Sequence, residues 1–172
     1  MAVVKRTNKT KSINSNYIKL SLLAYYRYVN KFIYVCTEAI NYADVIALKK
    51  DKLVEIEVKV SKSDLKADFH KPKHRLYLNA ETNIKTKPTR IIPNEFYFCT
   101  TRQLQEDALQ LIKEYNNNYG LMICDNIGFI GDNIKVIKKA KPLHNQIPKP
   151  TYFEAVAKRM SNMIINFMKE NK

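Results

Sequence analysis

The sequence of 172 residues has no tryptophan, only three glycines and only three cysteines. Cys36, Cys99 and Cys124 are odd in number, have no Cys-x-x-Cys spacing and lie in apolar stretches, which argues against a disulfide framework and against a zinc site. We expect buried, reduced thiols, because a free cysteine behaves as a small hydrophobic residue. This cysteine usage favours a reducing compartment.

Long apolar runs are also missing from the sequence. No stretch approaches the roughly 20 apolar residues that a membrane-spanning helix requires, so we expect no membrane insertion. The segment from Met1 to Lys11 lacks the apolar centre of a secretory signal. Together with the cysteine pattern, these absences predict a cytoplasmic location.

Acidic residues are scarce relative to basic ones. Sixteen Asp and Glu stand against 30 Lys and Arg, which gives a formal net charge of +14 spread along the whole chain. Such self-repulsion is better tolerated when a polyanion binds the protein. Because we expect no membrane insertion, nucleic acid is the predicted partner.

Hydrophobic residues make up 45% of the chain, enough for one ordinary core, so we expect a single domain over 1–172 with 1–12 as a flexible basic arm. Apolar residues recur every three or four positions at 15–30, which predicts a first helix. Comparable patterns predict two short strands within 31–48 and further strands at 53–60, 95–99, 121–124 and 134–137. They predict helices at 62–71 and 104–115 and a closing amphipathic helix. A long loop is expected at 79–94 and a connector at 138–150. Strands alternating with helices predict an α/β fold with a central mixed sheet flanked by helices.

The predicted strand at 53–60 alternates strictly between aliphatic and charged residues. Its charged face carries Glu55, Glu57 and Lys59. Same-face neighbours in a strand lie about 6.6–6.8 Å apart, so these three charges are within reach of one point in space. A solvated edge strand shows the same alternation, and the pattern alone favours that interpretation.

Asp44 strengthens the functional interpretation. It precedes the apolar segment 45–48 and a tight turn into the charged strand, so an antiparallel hairpin would bring it beside Glu57 and Lys59. Two carboxylates about 4 Å apart repel by roughly 4 kcal/mol at an effective dielectric near 20. A hard cation such as Mg²⁺ or Mn²⁺ would stabilise such a pair, and the lysine would stabilise charge that builds up on a phosphate.

Asp44 followed by Glu57-Val58-Lys59 resembles the core motif of the PD-(D/E)XK nuclease superfamily. Further similarity, to the MmcB-like branch of DNA-repair nucleases, comes from Thr37-Glu38, Ser63-Asp64-Leu65, Asp68, the segment 119–125 and the segment 140–143. The resemblance covers about residues 30–165. It implies a restriction-endonuclease-like core, DNA as the substrate and partner, no small-molecule cofactor, and a homodimer as one option for the assembly.

The resemblance also implies roles for individual residues. Asp44 and Glu57 would be metal ligands together with the backbone carbonyl of Val58, and Lys59 would be the catalytic lysine that faces the phosphate. Glu38 would be a supporting acid, although a solvated strand end is the alternative.

Three acids near the motif allow other interpretations. Glu55 could pair with Glu57 in a shifted register, but only Glu57 has a lysine two residues later. Asp64 stands three residues after Ser61, as in a helix capping box, and is interpreted as a capping residue. Asp68 lies on the same helical face and is expected to be solvated.

Basic and aromatic residues elsewhere are the predicted nucleic-acid contacts. Four follow the second predicted helix: Lys71, Lys73, His74 and Tyr77. The predicted loop carries Lys85, Lys87 and Arg90, and the connector carries Lys138, Lys139 and Lys141. A non-catalytic nucleic-acid-binding module would use the same cations. The pair Asp44 and Glu57 favours the nuclease, because a pure binder gains nothing from carboxylates where a phosphate should lie.

Overall fold

The computed structural model describes residues 13–87, 89–125 and 131–170. These ranges contain both helices and strands. In chain order they are α1 (Ser15–Ala24), a π-helical turn (Tyr25–Val29), β1 (Tyr34–Cys36), β2 (Val45–Lys49), β3 (Lys52–Lys59), α2 (Lys62–Asp68), α3 (Pro72–Leu78), α4 (Ala80–Thr86), β4 (Glu95–Thr101), a 3₁₀ turn (Arg102–Leu104), α5 (Gln105–Tyr115), β5 (Gly120–Cys124), β6 (Ile134–Lys138) and α6 (Pro150–Glu170).

Six strands of the described chain form one sheet, in which the spatial order is the sequence order, β1 to β6. The pairs β3–β4 and β4–β5 are parallel, and the pairs β1–β2, β2–β3 and β5–β6 are antiparallel. The predicted α/β class with a central mixed sheet flanked by helices is confirmed.

The two faces of the sheet are covered differently. On one face, α1 packs Ile18 and Leu22 against the aliphatic side of β3. On the other face, α2, α3 and α5 cover Phe96 and Phe98 of β4, while Val156 of α6 packs over β1 and β2. The charged row of β3 lies on this second face, between the two groups of helices, so its side chains are enclosed.

The prediction of a long loop at 79–94 is wrong, because α4 occupies Ala80–Thr86. Its sequence shows almost no apolar stripe: Ala80 is buried and Ile84 is partly buried. The helix predicted at 62–71 ends earlier, because α2 covers Lys62–Asp68, and Pro72 begins a separate helix, α3. A proline fits the first helical position, because the N–H that it lacks would have no partner inside the helix.

The closing helix forms as predicted, and side chains from Tyr152 to Met163 pack against the domain. Val156 is buried, and Phe153 and Met160 are partly buried. Ile164 and Phe167, which continue the apolar stripe of the sequence, are 61% and 67% exposed. The stripe is therefore longer than the part of it that is buried.

Three further expectations concern the cysteines, the membrane and the basic arm. All three cysteines are free and buried, as predicted, and burial raises the pKa of Cys36 to about 11. None of the helices in the described ranges is long and apolar enough to cross a membrane. The predicted basic arm at 1–12 lies outside the described residues.

Candidate functional site

The β2–β3 hairpin brings Asp44 beside the Glu57–Lys59 segment of β3. Asp44 stands one residue before β2, next to the pair formed by Val45 and Ile56. Its Oδ2 accepts a hydrogen bond of 2.9 Å from the N–H of Val58, which lies between Glu57 and Lys59.

The second oxygen of Asp44 contacts a lysine from a distant element. Lys19 of α1 lies 2.7 Å from Asp44 Oδ1 and 3.7 Å from Glu38, which also binds Arg159 of α6. Burial alone would raise the pKa of Asp44, but the hydrogen bonds from Lys19 and from the Val58 N–H outweigh it and hold the pKa below its usual value. Glu38 remains half-exposed. It lies near Asp44 because both carboxylates contact Lys19.

Lys59, the last residue of β3, is buried between carboxylates. Its Nζ lies 2.6 Å from Asp68 of α2 and 3.2 Å from Glu57. Burial acts to lower the pKa of Lys59, but the hydrogen bond to Asp68 and the two negative charges outweigh it, so the pKa lies above its usual value. Lys59 is therefore a fixed positive charge at the carboxyl end of a parallel strand, the edge where open α/β sheets commonly bind ligands.

The sequence suggested that Asp68 is solvated, and this expectation is wrong. Asp68 is completely buried at the centre of the cluster. Besides Lys59, it binds Lys71 at 2.5 Å, and its Oδ1 lies 2.9 Å from His74 Nε2. Burial alone would raise its pKa, but hydrogen bonds from these partners hold the pKa of Asp68 far below its usual value. Because the ionised carboxylate only accepts, His74 Nε2 carries a proton.

A second lysine bridges the two acids of the β3 face. Lys73 donates to Glu55 Oε1 at 2.9 Å and also to Glu57. Tyr77 donates to Glu55 Oε2 at 2.8 Å, and Asn41 donates to the same oxygen at 3.3 Å. Both carboxylate oxygens of Glu55 thus have partners within the fold.

Glu57 has a different electrostatic environment from the other acids. It lies beside Phe98 in the β3–β4 register and is 3% exposed. Burial raises the pKa of Glu57, and the charge of Asp68 adds to this effect, although Lys73 and Lys59 partly offset it. Among Asp44, Glu57 and Asp68, Glu57 is the acid whose pKa is raised.

Asp44, Glu57 and the Val58 carbonyl are the groups of this site that could contribute oxygen ligands to a metal ion. The N–H and C=O of one strand residue point to the same edge, so the Val58 carbonyl faces the side on which Asp44 binds the Val58 N–H. In the parts of the chain that the structure describes, no group of three or more His, Cys, Asp or Glu side chains could hold a metal. A metal here would depend on Asp44, Glu57 and the carbonyl plus water and substrate oxygens, a common arrangement for Mg²⁺.

Two of the predicted nucleic-acid contacts face inward. His74 is 5% exposed, and its Nδ1 lies 2.8 Å from the Tyr119 hydroxyl. Tyr77 is 1% exposed and binds Glu55. The expectation that these side chains point toward a DNA backbone is therefore wrong: α3 turns them, three residues apart on one helical face, into the core.

A cationic groove opens next to the cluster. It has a volume of about 620 Å³. The residues that line it are Asn41, Tyr42, Pro72, Lys73, Arg75, Leu76, Tyr77, Lys87, Arg90 and Ile91. Lys73, Lys87 and Arg90 were predicted to contact nucleic acid, and Arg75 joins them.

The other predicted cations lie elsewhere. Lys71 is half-exposed above Asp68, and Lys85 lines a separate pocket beside His144. Lys138 pairs with Leu121 at the start of β5, so it lies at the opposite end of the parallel strands from Lys59. Its Nζ donates to two backbone carbonyls. Burial and the charge of Lys141 lower the pKa of Lys138. Lys139 lines a pocket on the α1 side of the sheet.

Sequence reasoning missed Lys19 and underestimated Asp68. No local pattern connects Lys19 with Asp44, because the two residues meet only when α1 packs on the sheet. For Asp68 a signal existed. It lies three residues after Leu65 and next to Phe69, both buried, so it shares the inward face of α2.

The fold and the site together define an α/β protein with a buried carboxylate–lysine cluster at the carboxyl end of a central parallel strand. The chain matches no protein-family model, no curated protein and no solved structure.

Proposed function

We propose that the protein is a metal-dependent nuclease of the PD-(D/E)XK type with a restriction-endonuclease-like fold, acting on DNA in repair, recombination or related processing. The observation that carries the proposal is the hydrogen bond from the Val58 N–H to Asp44, which brings Asp44 beside the segment of β3 that holds Glu57 and Lys59. The cationic groove beside this cluster supports DNA as the partner.

The residues of the chain have distinct tasks in this proposal. Asp44, Glu57 and the Val58 carbonyl would hold Mg²⁺ or Mn²⁺, which supplies polarisation of the scissile phosphate and a more acidic water. Lys59 supplies a preorganised positive charge for the negative charge that develops on the phosphate. Asp68 positions Lys59 by the 2.6 Å ion pair. Lys71, half-exposed beside Glu57, is placed to meet an incoming phosphate.

A non-catalytic nucleic-acid-binding module is the second candidate. One observation favours it: the carboxylates of the cluster already have lysine partners. Lys19 binds Asp44, Lys73 binds Glu57, and Lys59 binds Asp68. Such pairs stabilise buried acids without a metal. In the nuclease, a metal would have to displace Lys19 from Asp44 Oδ1.

The test is direct incubation of the purified protein with plasmid, single-stranded and branched DNA, in Mg²⁺, Mn²⁺ or EDTA. We expect cleavage that requires the metal and is absent from the Glu57→Gln variant prepared in parallel. Binding of these substrates without cleavage in either metal would favour the second candidate. Cleavage that survives Glu57→Gln would point to a contaminating nuclease.

The homodimer stays a prediction. Light scattering coupled to size-exclusion chromatography, with and without DNA, gives the molar mass that decides it. A mass of about 40 kDa, twice the 20.1 kDa of the chain, is the expected result for a dimer.

A further inference from the structure

The cationic groove is built to hold an anion. Arg75, Lys87 and Arg90 are exposed along it, and in the described part of the chain their side chains form no salt bridge. No acidic residue is among the described residues that line it. Its positive charge is therefore available to a ligand instead of being used within the fold.

An aromatic side chain projects at the rim of this groove. Tyr42 is 91% exposed, in contrast to the buried Tyr77 and Tyr119. It follows Asn41, and both residues have positive φ angles, +55° for Asn41 and +53° for Tyr42. This left-handed conformation is uncommon for residues other than glycine and is unusual for a bulky aromatic.

The loop that carries Tyr42 is held in place by several contacts. Asn41 donates hydrogen bonds to the Tyr77 hydroxyl at 3.2 Å, to the Ile91 carbonyl at 3.0 Å and to Glu55. The Ala43 N–H donates to the Ile40 carbonyl at 3.0 Å. These bonds keep the strained residues in one conformation, so the ring of Tyr42 is presented outward by a rigid support.

Phosphate-binding cations next to a projecting aromatic ring match the chemistry of an unpaired nucleic-acid strand. Such a strand offers phosphates to the cations and the flat face of a base to the ring. In a duplex, each base face is already stacked on its neighbours, so the ring would find no partner there. The groove therefore favours unpaired over paired nucleic acid.

We propose that Tyr42 stacks on an unpaired base, and that the groove beside it binds a single-stranded or locally unpaired segment of nucleic acid. This inference rests on the proposed function, since it names the substrate class of the same site. Lys73 connects the two regions: it lines the groove and binds Glu57. A strand in the groove thus places its phosphates next to the acidic cluster.

The absence of tryptophan from the chain permits a specific optical test. Tyr42→Trp introduces a single indole at the rim, and Tyr28→Trp is the matched control, because Tyr28 is 69% exposed but lines a separate apolar pocket. In EDTA, we expect a single-stranded oligonucleotide to quench the fluorescence of the first variant and not of the second. A duplex of the same length should quench neither. Equal quenching by duplex, or none by the single strand, would overturn the inference.

Substitutions that remove the ring provide the affinity test. Tyr42→Ala should weaken single-strand binding by roughly 5- to 150-fold, the usual effect of losing one stacking platform, while Tyr42→Phe should bind as the original protein does. Tyr42→Asn also removes the ring but preserves the backbone conformation of the loop, because asparagine adopts the left-handed conformation readily. Equal affinity of all three variants would contradict stacking.

Binding and cleavage separate the two proposals. If Tyr42→Trp reports single-strand binding but the protein cuts no nucleic acid, only the nuclease proposal fails. If the protein cuts duplex as fast as single strands and Tyr42→Ala changes nothing, only this inference fails.

Discussion

Lys59 Nζ and Asp68 Oδ2 form an ion pair of 2.6 Å in which the carboxylate is completely buried. A buried pair of this kind adds little stability by itself, but losing one partner leaves a charge with fewer contacts in a poorly solvated place. Here Asp68 keeps Lys71 and His74 when Lys59 is removed. Substitutions at Lys59 should therefore be tolerated better than substitutions at Asp68.

Lys59→Ala should reduce cleavage much more than binding. Removing one preorganised charge donor typically slows catalysis by about 100- to 1,000-fold. Affinity should change little, because Lys59 is one of 30 basic residues. Single-turnover cleavage beside a binding titration measures both. Lys62→Ala, an exposed lysine paired with Asp107, is the control. Cleavage by Lys59→Ala at the original rate would remove Lys59 from the active site.

Asp68→Asn should change how stability depends on pH. The pKa of Asp68 is held far below its usual value, so its stabilising contribution is present above the unfolded pKa of about 3.9 and is lost as pH falls through the lower folded pKa. We expect the free energy of unfolding to fall between about pH 4 and about pH 2 in the original protein, and less steeply in the variant.

Urea denaturation across the acidic range measures this dependence. Asp51→Asn is the control, because Asp51 is exposed and its partner Lys49 is 3.7 Å away. At neutral pH, Asp68→Asn should lower the free energy of unfolding by about 3–5 kcal/mol, the usual effect of removing one partner of a buried pair. Identical pH profiles for all three proteins would show that the Asp68 cluster does not form.

Asp44→Asn should remove the stabilisation that a divalent cation provides. A metal that binds only the folded protein raises the melting temperature by mass action. Mn²⁺ should therefore raise the melting temperature of the original protein and leave Asp44→Asn unchanged. Lys19→Gln should respond to lower Mn²⁺ concentrations, because Lys19 competes for Asp44 Oδ1. Equal shifts in the original protein and Asp44→Asn would exclude the proposed metal site.

The salt dependence of binding should identify which cations contact the strand. Each phosphate contact on a single strand contributes about −0.7 to the slope of log affinity against log salt. Replacing Arg75, Lys87 and Arg90 by glutamine should therefore flatten the slope by about 2. The matched triple variant, with glutamine at 138, 139 and 141, should change it less, because none of these lysines lines the groove. Equal effects would contradict the assignment to the groove.

The parts of the fold that were predictable depend on local patterns. The alternation at 53–60 and the turn before it predicted β3 and the hairpin, and these bring Asp44 beside the Glu57–Lys59 segment. Ser61 was predicted as a helix cap, and its hydroxyl does accept the Asp64 N–H. Period and turn chemistry act within a few residues, so the sequence displays them directly.

The unpredicted parts depend on packing between distant segments. The direction of His74 and Tyr77 could not be read because α3 carries polar residues on both faces. The pair Lys19 and Asp44 joins residues 25 positions apart in the chain, and only the docking of α1 decides it. Helix α4 was missed because two apolar residues do not make a recognisable stripe.

The identity of spatial and sequence order in the sheet has a consequence for synthesis on the ribosome. Each strand leaves the ribosome next to the strand with which it will pair, and no later strand has to be inserted between two that have already met. The nascent chain emerges N-terminal segment first. The hairpin, the groove and the cluster around Glu57, Lys59 and Asp68 lie within 41–91, so they are synthesised before β5, β6 and α6.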